Sequence, residues 1–132
     1  MNSKWMCVAC ILVLSLSLII PAMAETPQPR ADLYFGSASA YLASDKYVTF
    51  SCTTYDVHSQ ISIVSVWLEK KVNGEWQYVK ALTRPSYVAR NAISYAIDVN
   101  YSSSIGTGTY RVGFTASADG HEITRYSNNR TF

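Results

Sequence analysis

Two histidines are present, His58 and His121, and both fall in stretches that read as connections between strands. His58 shares its stretch with Asp56. His121 stands between Asp119 and Glu122. Two imidazoles joined by a carboxylate are a ligand set for zinc or another divalent ion, so His58, His121, Asp119 and Glu122 make a candidate metal site. The two histidines are far apart in the chain and form no local motif, and polar residues in loops are ordinary. Cys52 is the one cysteine outside the first 24 residues. Beside a histidine it would suggest a thiol nucleophile, but its place in the middle of an apolar strand face should raise its pKa. Beyond residue 24 there is no Gly-x-Ser-x-Gly, no phosphate-binding loop and no Cys-x-x-Cys. Nothing points to a catalytic residue or to a cofactor.

The aromatic residues carry a different kind of chemistry. Ten tyrosines are spread over several strand faces and cannot all be core. Tyr and Trp rings that face outward stack on sugar rings and anchor protein interfaces at low entropic cost. Trp76 and Tyr78 alternate on one face of a segment near a sheet edge, which makes them the candidate ligand-binding pair. Cross-strand pairing that steadies an exposed face is the plainer role for such rings.

These residues need elements to hold them. No helical periodicity of useful length appears. Seven strand-like segments follow one another, separated by turn signals. They are DLYFGSASAYLA, bent or split at Gly36, then KYVTFSCTTY, QISIVSVWLEKKV, EWQYVKALTR, NAISYAIDVNY, GTYRVGFTASA and HEITRYS. Asn73-Gly74 joins the third to the fourth, and Asp119-Gly120 the sixth to the seventh. An Asn-Gly pair suits a two-residue hairpin because both positions need positive φ. In the fifth segment Ile93, Tyr95, Ile97, Val99 and Tyr101 share one face. Short strands in this order predict an all-β fold, an immunoglobulin-like antiparallel β-sandwich of about seven strands. A small barrel is the alternative architecture. In the sandwich the 2–3 loop (Asp56, His58), the 4–5 connection (Arg84, Arg90) and the 6–7 turn (Asp119, His121, Glu122) meet at one pole.

The chain opens with Lys4, an apolar run from about Met6 to Ile20, Pro21, and then Ala22-Met23-Ala24. That is the pattern of a secretory signal peptide over 1–24, too short for a comfortable membrane span. Residues 25–31, with two prolines, read as a flexible N-terminal segment, and 32–132 as the domain. Processing would remove Lys4 from the eleven basic residues, leaving ten against nine acidic ones. That near-neutral balance excludes nucleic acid as the main partner. No integral membrane span follows the leader, and the expected location is secreted, extracellular. With a single cysteine there is no internal disulfide, so the core alone must hold the domain. Asn100-Tyr101-Ser102 and Asn129-Arg130-Thr131 match the glycosylation sequon, which matters only in a eukaryotic secretory route.

Trp67 follows Cys52 by fifteen residues. That resembles the first cysteine and the core tryptophan of an immunoglobulin domain. Gly108-x-Tyr110-x-Val112 is similar to the Gly-x-Tyr-x-Cys of the strand before the last, with valine in place of the second cysteine. The resemblance implies a structural core containing Cys52, Trp67, Tyr110 and Val112, and a Tyr110 hydroxyl that bonds back to the preceding corner. The third segment is apolar on both faces, however. Trp67 is in phase with Ile61 and Ile63, whereas Leu68 is in phase with Val64 and Val66. If the Leu68 face is inside, Trp67 is on the surface. Through Arg30, Ala31, Tyr34, Gly74, Trp76, Gly108 and Tyr110 the chain also resembles a group of small secreted bacterial single-domain immunoglobulin-like or fibronectin type III-like proteins of unknown function. That resemblance implies the sandwich and no activity. The expected role is a secreted, non-enzymatic binding or interaction module for an extracellular protein or glycan. The alternatives are a metal-binding protein or small hydrolase using the His58/His121 pole, and a self-assembling structural protein of the envelope.

Overall fold

The computed structural model describes residues 32–132. The predicted leader (1–24) and the 25–31 segment, with Arg30 and Ala31, lie outside the described residues. The described part is all-β. Its strands are β1 (Phe35–Leu42), β2 (Tyr47–Val72), β3 (Glu75–Leu82), β4 (Val88–Asn100), β5 (Thr109–Ala118), β6 (His121–Tyr126) and β7 (Arg130–Thr131). All pairings are antiparallel, and together the strands make one curled sheet, a half-barrel. Among the described residues no helix is long and apolar enough to cross a membrane.

The second and third predicted strands are one element. β2 runs for 26 residues straight through Asp56 and His58, so the predicted loop between them does not exist. Its first half lies between β1 and β4; its second half lies between β3 and β5, and β5 in turn carries β6 and β7. The excursion expected of a loop is absorbed by a slip in the β2–β4 register between Thr53 and His58. Ile93 falls beside that slip and is exposed, whereas Tyr95 and Tyr101 are buried and Ile97 and Val99 pack on the core. Gly36 is the extra residue where the β1–β2 register shifts, the bend expected there.

A second slip resolves the two apolar phases of the third segment. Between Ile63 and Ser65 the β2–β5 pairing shifts, leaving Val64 as an extra residue. A bulge of this kind inverts the alternation that follows it. Ile61 and Ile63 point inward before it, and Val66 and Leu68 point inward after it. Trp67 is thereby turned to the outer face and is only half-buried. This corrects its assignment to the structural core. Cys52, Tyr110 and Val112 are buried.

The core combines Leu42, Val48, Phe50, Cys52, Ile61, Leu68, Val112 and Phe114, with Phe50 and Phe114 meeting edge-to-face at 5.3 Å. Burial of each large side chain is worth about 1.5–3 kcal/mol. The Tyr110 hydroxyl donates to the Thr107 carbonyl at 3.2 Å, which ties the start of β5 to the turn before it. Ser127, buried beside β5, accepts from the Val112 amide and donates to the Asn128 carbonyl, each at 2.8 Å. Both predicted hairpin turns have the required backbone: φ is 52° and 81° at Asn73-Gly74, and 48° and 88° at Asp119-Gly120.

Candidate functional site

The outer face of β3, β2, β5 and β6 is built by register. Directly opposed residues of an antiparallel pair share a face. Glu69 opposes Tyr78 on β3 and Arg111 on β5; Lys71 opposes Trp76; Trp67 opposes Gly113, which opposes Tyr126 on β6. Trp76 and Tyr78 therefore stand on one face, and that face continues across three more strands.

Arg111 is its centre. The guanidinium carbon lies 4.5 Å from the Trp76 ring centroid and 4.0 Å from that of Tyr126, so the cation is clamped between two aromatic rings. Its Nε donates to Glu69 Oε2 at 2.6 Å. The other Glu69 oxygen accepts from Trp67 Nε1 at 3.1 Å. The Trp67 ring in turn meets Tyr126 edge-on at 6.0 Å. Lys71 Nζ lies 5.7 Å from the Trp76 centroid. A cation over an aromatic ring is worth about 0.5–1 kcal/mol at exposed sites. The arrangement fixes Trp76 and Tyr126 in place and presents them on an open sheet surface. Tyr78 is 65% exposed and Tyr126 45% exposed. Gly113 makes the packing possible: a Cβ there would enter the volume of the Trp67 indole.

The histidines do converge at one pole, but not as a metal site. His58 Nδ1 is hydrogen-bonded to Asp119 Oδ2 at 3.0 Å, and His121 Nε2 to Asp32 Oδ2 at 3.0 Å. The Tyr34 ring intervenes, stacked on His121 at 4.2 Å and tilted against His58 at 5.6 Å. Each imidazole has its own carboxylate, and no ligand position is shared. Glu122, on β6, opposes Ser117 on β5 and is exposed. Among the described residues no three His, Cys, Asp or Glu side chains are grouped to hold a metal ion. The proposed set of His58, His121, Asp119 and Glu122 is thus replaced by two separate pairs.

The carboxylates at this pole also cap backbone. Asp119 accepts from the amides of Ser59 and Gln60, and Asp32 from those of Tyr34 and Phe35. Desolvation would push the Asp32 carboxyl up, but the Phe35 amide, the His121 ring and the Tyr34 amide outweigh it and hold it below the usual value. For Asp119 desolvation is likewise outweighed, by the Ser59 and Gln60 amides and His58. The pole is a clasp that ties the start of β1 and the β5–β6 turn to the middle of β2.

Cys52 is fully buried, and burial pushes its thiol up to about 11. It is a thiol at neutral pH and lacks the thiolate a nucleophile needs. Arg84 lines a separate groove of about 520 Å³ with Gln60, Ser62, Ile63, Thr83 and Pro85. Sequence reasoning found Trp76 and Tyr78 and missed Trp67, Glu69, Arg111 and Tyr126 as members of the same surface. It also missed Asp32 and Tyr34 at the pole. Asp32 carries one local signal, an Asx turn onto residues two and three ahead; its tie to His121 spans the domain.

Comparison with protein-family models, with curated proteins and with solved structures gave no match.

Proposed function

We propose that the chain is a secreted, non-enzymatic binding module that engages an extracellular protein or glycan through the aromatic face of β3, β2, β5 and β6. The observation that carries this reading is the Trp76–Arg111–Tyr126 clamp beside a Tyr78 ring that stays 65% exposed. Glu69 neutralises the charge of Arg111, and the face presents the Tyr78 and Tyr126 rings to solvent beside the exposed Lys71. A pre-set aromatic surface meets a sugar ring or an apolar side chain at little entropic cost. The fold reading behind it is an immunoglobulin-like sandwich. It is supported by β1 and β4 flanking one half of β2, by β3 and β5–β6 flanking the other, and by the Tyr110 hydroxyl bonding to Thr107. Secretion rests on the Lys4 to Ala24 leader pattern. The resemblance to small secreted bacterial immunoglobulin-like proteins agrees with the fold and secretion readings.

The test is retention of the purified chain on immobilised glycans and on extracellular proteins of the producing cell, compared with its Tyr78→Ala and Trp76→Ala forms. Tyr78 is largely in water, so its loss should change stability by no more than about 0.5 kcal/mol. A drop in affinity of tenfold or more at unchanged melting temperature supports the face as the binding site. Retention that neither substitution weakens overturns it.

A further inference from the structure

A break in the sheet lies beside the middle of β2. On that edge β4 pairs with β2 only as far as Ser62, opposite Val88, and β3 takes over at Val66, opposite Leu82. Between the two the chain leaves the sheet as the connection 83–87. The space beside that connection is the groove of about 520 Å³ lined by Arg84. Small-molecule sites run from about 300 to 1,000 Å³. The connection is held at both ends from inside the core. The Tyr101 hydroxyl donates to the Thr83 carbonyl at 2.8 Å, and the Tyr95 hydroxyl to the Tyr87 carbonyl at 3.1 Å. Both tyrosines are buried, and Pro85 between the two ties is buried as well and fixes its own φ. The rim that carries Arg84 and Ser86 is therefore set before any ligand arrives, which lowers the cost of binding.

The lining has a definite chemistry. Ile63 and Pro85, both buried, supply apolar surface. Ser62, Thr83 and Ser86 bring hydroxyls, and Gln60 brings an amide. Arg84 brings the one charge, and no carboxylate lines the groove. Arg84 is exposed and pairs with no carboxylate among the described residues. Arg90 opposes Gln60 across the β2–β4 ladder and so shares its face; it too is without an ion pair among the described residues. On the other edge of Gln60, Asp119 is already engaged by the Ser59 and Gln60 amides and by His58. The groove thus offers hydrogen-bonding groups around an unanswered positive charge.

We propose that this groove binds an acidic sugar, a pyranose ring bearing a carboxylate. The guanidinium of Arg84 takes the carboxylate, a pairing its planar fork makes with two parallel hydrogen bonds. The Ser62, Thr83 and Ser86 hydroxyls and the Gln60 amide, which both donate and accept, take the ring hydroxyls. The apolar surface of Ile63 and Pro85 receives the C–H side of the ring. A bare anion would use Arg84 and leave the apolar surface and most of the polar lining idle; a neutral sugar would leave Arg84 unanswered. The groove shares no residue with the Trp76–Arg111–Tyr126 clamp, so this site stands or falls separately from the aromatic face.

The test is an NMR titration of the purified chain with sodium glucuronate, read at the backbone amides of Ser62, Arg84 and Ser86, with glucose and inorganic phosphate as the comparison ligands. Expected is a saturable shift of these amides with glucuronate in the millimolar range, and affinity for glucose and for phosphate lower by about tenfold or more. Arg84→Gln should bring glucuronate down to the level of glucose. Arg84 is exposed, so an unchanged melting temperature is expected for that form. Tyr78→Ala should leave glucuronate binding as it is, and Arg84→Gln should leave retention through the aromatic face as it is. No shift at these amides through the millimolar range would overturn the proposal, as would glucuronate affinity that survives Arg84→Gln. Phosphate binding as tight as glucuronate would reduce the groove to a plain anion site and overturn the assignment to a sugar; glucose binding as tight would remove the role of Arg84 and overturn it equally.

Discussion

Gly113→Ala is the sharpest probe of the outer face. A Cβ at this position would lie 2.5 Å from Trp67 Nε1 and closer still to the ring carbons, so the indole must leave its seat. Overpacking of this kind costs about 1–3 kcal/mol. Moving the ring also breaks its hydrogen bond to Glu69, at about 1 kcal/mol. Against this, replacing a strand glycine by alanine returns roughly 0.5–1 kcal/mol. The net expectation is a destabilisation of about 2 kcal/mol, a fall in melting temperature of about 8–16 °C for a domain of this size. In a Trp67→Ala background the obstacle is gone, and the same substitution should be stabilising by about 0.5 kcal/mol. Urea unfolding of the four proteins closes the cycle, with an expected coupling of about 2.5 kcal/mol. If Gly113→Ala costs the same in both backgrounds, the indole does not rest on Gly113 and the outer-face geometry is wrong.

Four further outcomes are expected. The Asp32 and Asp119 carboxyls sit below their usual values, so their contribution is present above an unfolded carboxyl pKa near 4 and is lost as pH falls through the lower native values; melting temperature should fall below about pH 4, and Asp119→Asn should flatten that limb. Tyr110→Phe removes the bond to Thr107 and should cost about 1 kcal/mol in chemical denaturation. Native Cys52 should resist a thiol reagent at neutral pH and react on unfolding, and Cys52→Ser should cost about 1–3 kcal/mol by placing a hydroxyl in the apolar core. Tyr34→Ala should expose the facing sides of both imidazoles, seen as a change in the proton chemical shifts of His58 and His121.

Local chemistry was legible where one residue type settles the conformation. Asn73-Gly74 and Asp119-Gly120 read correctly as turns because positive φ is a local requirement. Alternation was legible as long as nothing interrupted it, which is why Tyr95 and Tyr101 fell inside and why Trp76 and Tyr78 were placed on one face. The apolar doubling around Val64 was visible as a conflict, but not its resolution. A one-residue bulge leaves no composition signature, and only pairing with β5 shows that both phases are buried and Trp67 is not. The stretch at Asp56–His58 read as a loop because it is polar, yet it lies within β2, at the register slip that ends where His58 pairs with Ala92. The clamp on Arg111 draws on four strands and the clasp at the pole on residues 89 apart; neither could be found before the strand order was known.

The length of β2 has a consequence for how the molecule comes apart. Strands β1, β3, β4 and β5 each hydrogen-bond to this single element. None of these four strands can open far without breaking a ladder on β2, and the β2 amides held in those ladders should be among the last to exchange. The same arrangement makes assembly slow. β2 is completed only when β4 and β5, made later in the chain, return to it across long separations, which places folding in the millisecond-to-second regime of strand-dominated domains. One continuous strand thus binds the domain into a single cooperative unit and leaves it exposed, until β4 and β5 arrive, as an unpaired template.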